Sequence, residues 1–261
     1  MYSTTEKKRK RLSEEEIPSP EQKDFKQTKL TVPSSSLVKV PLLKQDHDIP
    51  GLYIAENFIT KEQEIEMMKE IDKREWNSEL TRRTQHYGYA YNYSSRNVNN
   101  SNGQSAPPIP EVFLHTLKNI KELASDLIGS VEFKQVIVNE YKGTNQGISK
   151  HVDQCLDFGP FIIIVSLGDD CVMKFHKLER VSEEELVKKS VKRKEVSPSV
   201  IVDKLLSRRS LVILSKDARY QYQHEIPKTK TFKVKNKVVK TRTHGYRRVS
   251  VTFRSILSDL K

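Results

Sequence analysis

Gly147-Ile148-Ser149-Lys150-His151-Val152-Asp153 is the stretch from which the rest of the chain can be read. Extended backbone sends alternate side chains to one face, so His151 and Asp153 point the same way. The best candidate for a second imidazole is His224, in Arg219-Tyr220-Gln221-Tyr222-Gln223-His224-Glu225-Ile226-Pro227. Beyond it, Arg248-Val249-Ser250-Val251-Thr252-Phe253-Arg254 offers two guanidinium groups that can pair bidentately with carboxylates. Upstream lies Asn139-Glu140-Tyr141-Lys142-Gly143. Two imidazoles and a carboxylate form the donor face that holds Fe(II) and leaves open positions for other ligands.

Composition narrows the class. The chain has 261 residues and a formal net charge of +12, enough length for one or two domains with a real core. Excess Lys and Arg suits a polyanionic partner, though charge speaks to association and solubility rather than to fold. Cys155 and Cys171 make neither a disulfide framework nor a zinc spacing, and read as reduced thiols. The N-terminus lacks the apolar core of a signal peptide, and no apolar run reaches membrane-spanning length. We therefore expect an intracellular protein of nucleus or cytoplasm, monomeric and without a membrane partner.

Residues 1–48 are poor in aromatics and rich in Lys, Glu, Ser and Pro, and are expected to form a disordered basic tail. Lys7-Lys8-Arg9-Lys10-Arg11 reads as a nuclear import signal, a nucleic-acid arm or a solvated charge cluster. Residues 49–131 should hold N-terminal helices and a lid, and 132–258 a catalytic domain. Thr60 with Gln63 is a capping box that predicts a helix to about Lys73, with Ile65, Met67, Met68 and Ile71 in the core. Pro110 should open a second helix to about Leu127, with Leu114, Leu117, Ile120, Ala124 and Leu127 inward. Gly129 ends it.

From Phe133 the pattern becomes short strands. Phe161 to Leu167 is apolar on both faces and so central. His176 ends a strand as a surface or satisfied histidine. Ser182 with Glu185 is a second capping box, opening a solvated helix to Lys194. Ser210 to Leu214 is the strand that leads to His224.

Two stretches suggest a nucleic-acid surface. Arg82-Arg83-Thr84-Gln85-His86-Tyr87-Gly88-Tyr89-Ala90-Tyr91-Asn92-Tyr93 puts four tyrosines at period two, on one face of a strand. They would stack on bases with Arg82 and Arg83 on phosphates, or simply pack against a helix. Residues 228–248 hold nine Lys or Arg and no Asp or Glu, more one-signed than protection of an edge strand requires. This run lies between His224 and Arg248, so we expect it beside the site mouth, contacting nucleic-acid backbone.

With Asn139-x-Tyr141, His151-x-Asp153, a distant His224 and Arg248-x-Ser250-x-Thr252-x-Arg254, the chain resembles the AlkB family of iron- and 2-oxoglutarate-dependent dioxygenases. The likeness runs from about Leu52 to the C-terminus, and departs at Ser250, where the family pattern has Asn. It implies an α+β, mainly β fold: a double-stranded β-helix, or jelly roll, with N-terminal helices and a nucleotide-recognition-like lid. His151 and Asp153 would sit just past one strand, and His224 on a strand across the barrel. The three would hold Fe(II). Arg248 would grip the far carboxylate of 2-oxoglutarate, with Asn139 and Tyr141 nearby and Arg254 at the keto-acid end. Arg82, Arg83, Tyr87, Tyr89 and Tyr91 would bind substrate.

The implied activity is oxidative dealkylation or hydroxylation of nucleic-acid bases, as in DNA repair or RNA modification. Hydroxylation of an N-methyl group releases formaldehyde, and the base must leave its stack to react. Two details bear on substrate. Cys155 stands where several DNA-repair relatives carry an acidic residue that contacts the damaged base. The segment Arg82 to Tyr89 resembles the branch acting on transfer-RNA wobble uridines, but that branch carries further domains, so the likeness alone implies no transfer-RNA role. Two rival readings stay open: a demethylase or hydroxylase of protein side chains, and an inactive nucleic-acid-binding module.

Overall fold

Alternation along the strands sorts side chains into two cores. The computed structural model describes Met1 and residues 41–92, 97–98, 106–182, 185 and 193–257. The Lys7–Arg11 run, Tyr93 and most of the 183–192 segment lie outside the described residues. One antiparallel sheet has seven strands: β1 (Lys44–Gln45), β2 (Leu52–Ala55), β11 (Leu211–Leu214), β8 (Phe158–Gly168), β15 (Arg247–Ile256), β6 (Gln135–Lys142) and β3 (Arg83–Tyr87), in that spatial order. A second has four: β10 (Ile201–Leu206), β9 (Cys171–Lys177), β12 (Tyr222–Ile226) and β7 (Ile148–His151). Two two-stranded sheets complete the described strands, β4 (Tyr91–Asn92) with β5 (Asn97–Val98), and the hairpin of β13 (Thr231–Val234) with β14 (Lys237–Thr241). The described helices are α1 (Lys61–Asp72), α2 (Glu111–Leu123), α3 (Ser125–Ile128) and α4 (Lys216–Tyr220). This is the expected jelly roll. No described helix is long and apolar enough to cross a membrane.

β8 shows how the sequence builds two layers. Ile163, Val165 and Leu167 join the core beneath α1 and α2, while Ile162 and Ile164 join the core between the sheets. Val249, Val251 and Phe253 of β15 repeat the first pattern. Each such side chain, once buried, contributes roughly 1.5–3 kcal/mol. β8 lies between β11 and β15, the central position its two apolar faces predict.

The helices begin where expected, but their inward faces are displaced. The Thr60 capping box is present, with Gln63 N–H donating to Thr60 Oγ1 at 3.2 Å and Thr60 N–H to Gln63 Oε1 at 2.8 Å. Met67 and Ile71 are buried, Met68 packs partly against them, and Ile65 is exposed. The inward position one turn before Met67 belongs to Glu64, whose carboxylate accepts from Gly168 N–H at 2.8 Å and from Arg208 and Arg209. Here an ion pair with the β10–β11 turn, and a hydrogen bond from the end of β8, replace an apolar contact. In α2 the buried set is Phe113, Thr116, Leu117 and Ile120, and Leu114 is exposed. The helix breaks at Ala124, and α3 buries Ile128, with Leu127 only partly buried.

Order also begins earlier than expected. β1 falls inside the stretch read as tail and pairs with β2. β2 and β3, from the segment upstream of residue 131, are strands of the seven-stranded sheet itself. The Ser182–Glu185 capping bonds are present, and His176 is buried with Nε2 at 3.2 Å from Glu225 Oε1.

Candidate active site

β7 and β12 are neighbours in one sheet, with His151 and His224 as directly paired residues. The expectation of a strand across the barrel is thereby corrected: the two imidazoles meet because they share a register position. Their ring centroids are 4.3 Å apart. His151 ends β7, and Asp153 follows it in the loop toward β8. One potential ligand atom from each of His151, Asp153 and His224 lies within 4.8 Å of the others.

The electrostatics suit a divalent cation. Burial, and then the His151 charge, push the His224 imidazole down to about 3. Desolvation also lowers His151. Both rings are therefore neutral at pH 7, the form that binds metal. Burial alone would raise Asp153, but Arg254, His224 and His151 hold its carboxyl well below the usual range. Arg254 pairs with Asp153 Oδ1. Asp153 Oδ2 has no hydrogen-bond partner and lies 3.6 Å from His224 Nε2. His151 Nδ1 is 2.9 Å from Ser149 O; donating there leaves Nε2 as the lone-pair nitrogen.

The pocket around this cluster runs between the sheets. Asn139, Tyr141, Arg248, Ser250, Thr252 and Arg254 line it from β6 and β15, and Ile162 and Ile164 from β8. On β15 the even positions face the pocket and the odd positions face the helices, so Arg248 and Arg254 share a face. Their backbones stand roughly 20 Å apart, and two long side chains reach into the space between.

Arg248 is 1% exposed, yet only its Nη2 has a partner, Ser166 Oγ at 3.0 Å. Its Nε and Nη1 are buried without one. A buried cation short of acceptors is costly unless a ligand supplies them. The same chemistry fits a carboxylate at Arg248 and a cation at Asp153 Oδ2.

The segment expected to bind substrate divides. Arg82 donates from Nε to Asn139 Oδ1 at 3.0 Å, beside the pocket. Arg83 points to the other face, donates to Glu140 Oε2 at 2.6 Å and lies over the Trp76 ring, so it is held as a structural ion pair. Tyr87 is 2% exposed, packs edge-on against Phe113 and donates to Gln85 Oε1. It is core, not a stacking platform. The three described tyrosines, Tyr87, Tyr89 and Tyr91, do not share a face because β3 ends at Tyr87 and Gly88 takes φ +73°. A Cβ at Gly88 would meet Lys134 O at 1.9 Å, so only glycine makes this turn. Beyond it, half-buried Tyr89 and Tyr91 pack toward the core between the sheets, Tyr91 at 5.8 Å from Phe158.

The basic run is likewise only partly a surface. Arg242 is fully buried, donating to Thr229 O, Gln146 O and Thr144 O. Lys240 pairs with Asp169, and Arg247 with Asp72 and Glu140. Lys228, Lys230, Lys233, Lys235 and Lys237 are exposed. The β13–β14 hairpin turns through Lys235 and Asn236, both at positive φ, as two-residue hairpins require. It packs at the Arg248 end of the pocket, whereas Tyr89 and Tyr91 lie at the Arg254 end. Lys240 of the hairpin pairs with Asp169, next to the Gly168 that is paired with Arg248, whereas Tyr91 packs on Phe158, the ring under Arg254.

The sequence reading passed over Ser166, Arg219 and His86. His86 accepts from Tyr91 N–H through Nδ1 and is pushed down to about 4 by burial and by Arg254 and Arg82. Its place in the Arg82–Tyr89 stretch, directly before Tyr87, was the available signal.

Residues 51–254 match the family described as the 2OG-Fe(II) oxygenase superfamily. The chain is 32% identical over 221 residues to the "Alkylated DNA repair protein ALKBH8 homolog" of Arabidopsis thaliana, covering 84% of this chain and 62% of that one. It is 32% identical over 184 residues to the "tRNA (carboxymethyluridine(34)-5-O)-methyltransferase alkbh8" of Xenopus tropicalis, covering 68% of this chain and 25% of that one. It thus spans less than two thirds of either relative. The solved structure of OsALKBH1 has the same fold, with TM-score 0.55 and 16% identity, over 82% of this chain and 99% of that one.

Proposed function

We propose that this chain oxidises a nucleic-acid base, from the premise that it belongs to the 2OG-Fe(II) oxygenase superfamily and, within it, to the AlkB family. It is a 2-oxoglutarate-dependent dioxygenase whose cofactors are Fe(II) and 2-oxoglutarate. The observation that carries the assignment of its site is the under-partnered guanidinium of Arg248, in the same pocket as the His151, Asp153 and His224 cluster. We assign Fe(II) to those three residues. We assign the far carboxylate of 2-oxoglutarate to Arg248, with Asn139 and Tyr141 beside it and Arg254 toward the keto-acid end.

With the metal and 2-oxoglutarate bound there, dioxygen would be the oxidant: one of its atoms would end in succinate, formed with loss of carbon dioxide from 2-oxoglutarate, and the other in the hydroxyl group placed on a substrate carbon. The chain's part is positional. Neutral imidazoles and an ionised Asp153 present lone pairs to one point. Arg254 holds Asp153 by one oxygen and leaves the other for the metal. Ser166 fixes one arm of Arg248 and leaves Nε and Nη1 without an acceptor from the described residues.

A base as substrate is supported by three features: the ALKBH8 relatives, the exposed Lys228 to Lys237 series, and Tyr89 and Tyr91 at the metal end of the pocket. The overlap with the Xenopus protein is one quarter of its length, so its methyltransferase activity is not carried over. Succinate release from 2-oxoglutarate, measured against methylated DNA, RNA and peptides, tests the reading. Methylated nucleic acid should stimulate turnover. Stimulation by peptides alone overturns the substrate class and leaves the cofactor assignment standing.

A further inference from the structure

Arg219 is 2% exposed, and the assignments above give it no role. A guanidinium has five N–H donors. In Arg219 every one has an acceptor. Nε donates to Gly159 O at 3.3 Å, Nη1 to Asp153 O at 2.8 Å and Cys155 Sγ at 3.8 Å, and Nη2 to Gln154 O at 3.2 Å and Phe158 O at 3.3 Å. The acceptors run along one segment, from the carboxylate-bearing residue of the cluster to the start of β8. Four carbonyls turned to one buried point would repel one another without a donor at the centre.

The base that carries Arg219 is itself fixed. Ser215 donates to Gly51 O from both N–H and Oγ, at 2.8 and 2.9 Å, and Ala218 N–H donates to Pro50 O at 2.9 Å. Gly51 has φ +82°, and a Cβ there would meet Ser215 O at 2.2 Å, so the junction closes only around glycine. α4 then runs directly into β12, which carries His224 five residues after Arg219. One short segment thus supplies an imidazole of the cluster and a clamp on the backbone of its carboxylate.

We propose that Arg219 is a positioning residue that sets Asp153 against His224 for metal binding. This rests on the ligand assignment of His151, Asp153 and His224, and the test separates the two. Untagged full-length protein is titrated with Co(II), without substrate or turnover, and its visible absorption and affinity are recorded. Arg219→Met keeps the volume and removes every donor. Arg219→Lys keeps the charge but gathers three donors on one nitrogen, which cannot serve acceptors spread from Asp153 to Gly159. Both should retain the far-UV circular dichroism of the parent. Arg219→Met should lose Co(II) affinity by about 10- to 100-fold with an altered absorption band, as for groups that orient metal ligands, and Arg219→Lys should lose less. Asp153→Ala should lose Co(II) binding altogether. Parental affinity and spectrum in both Arg219 variants, with binding lost in Asp153→Ala, overturns the positioning role. Parental binding in Asp153→Ala overturns the ligand assignment instead. If Arg219→Met does not fold, Arg219→Lys decides. If neither folds, Arg219 is a folding residue and the proposal falls.

Discussion

The collar behind the β13–β14 hairpin and the pocket between the sheets each bury an arginine, and they treat it in opposite ways. Arg242, in the collar, donates from all three guanidinium nitrogens to backbone carbonyls and lies over the rings of Phe232 and Tyr246, at 4.8 and 5.3 Å. Arg248, in the pocket, has one hydroxyl partner and two buried nitrogens without any. Burial and charge are the same; saturation differs. Where the protein supplies the acceptors, the cation is architecture. Where it withholds them at a point lined by Asn139 and Tyr141, the cation awaits a ligand.

The strongest way to break this comparison is at the metal end, where Asp153 Oδ2 is the corresponding shortage of partners. His151→Ala should abolish succinate release, while far-UV circular dichroism stays that of the parent. His151 sits at the half-buried end of β7, so its loss removes little packing. Undiminished decarboxylation in this variant would remove the cluster from the chemistry.

The comparison itself is tested by a crossed pair. Arg248→Met should weaken 2-oxoglutarate binding by about 2–5 kcal/mol, the loss expected when a buried, hydrogen-bonded charge pair loses one member. Its melting temperature should hold or rise, because unsatisfied donors have been replaced by apolar surface. Arg242→Met should do the reverse: stability falls by roughly 1–3 kcal/mol for each carbonyl left without a donor, and the KM for 2-oxoglutarate stays put. Thermal melts and 2-oxoglutarate titrations on the two variants decide it. If both variants change the same quantity, saturation does not distinguish the two regions.

Much of the fold and site is legible in the sequence alone. Residues with a required spacing, such as His151 and Asp153, and strands apolar on both faces, such as β8, carry their meaning locally. What failed depended on backbone turns or on distant partners. Gly88 rotates the chain out of register, and period two cannot see a positive φ. Arg242 and Lys240 look like surface because, Thr229 O apart, the groups that meet them lie outside the basic run; Asp169, Thr144 and Gln146 arrive from turns elsewhere in the chain. Glu64 reads as a solvent-facing helix residue until Arg208, far along the chain, folds against it. Arg219 escapes a reading of the sequence for the same reason, since its acceptors lie some sixty residues away.

The split in the tyrosine segment predicts a smaller pair of effects. Tyr91→Ala should weaken single-stranded nucleic-acid binding by about 1–3 kcal/mol, the range for one stacked base, with little change in stability. Tyr87→Ala should lower stability through the cavity it leaves against Phe113 and leave affinity per folded molecule unchanged. Fluorescence anisotropy alongside thermal melts separates them. A Tyr91 variant that binds as the parent does would confine that ring to packing on Phe158.

The smallest expected effect asks whether saturation also sorts the cations on the surface. Lys233, Lys235 and Lys237 are exposed around the hairpin turn, while Lys240 and Arg247 of the same run are committed to Asp169, Asp72 and Glu140. A phosphate held by a lysine releases condensed counterions, so each one steepens the fall of affinity with salt by roughly 0.7 in logarithmic slope for a single strand. Replacing Lys233, Lys235 and Lys237 together with Ala should flatten that slope by roughly 0.7 for every phosphate these lysines neutralise. Lys240→Ala should leave the slope as it was, because that ammonium is already neutralised by Asp169. The hairpin lies at the Arg248 end of the pocket and Tyr91 at the Arg254 end, so the slope change should appear with an oligonucleotide long enough to span both and shrink with a trinucleotide. Equal slopes for the triple variant and the parent on the long oligonucleotide would show that the hairpin lysines are solvated charge, and would leave Tyr89, Tyr91 and Arg82 to hold the substrate.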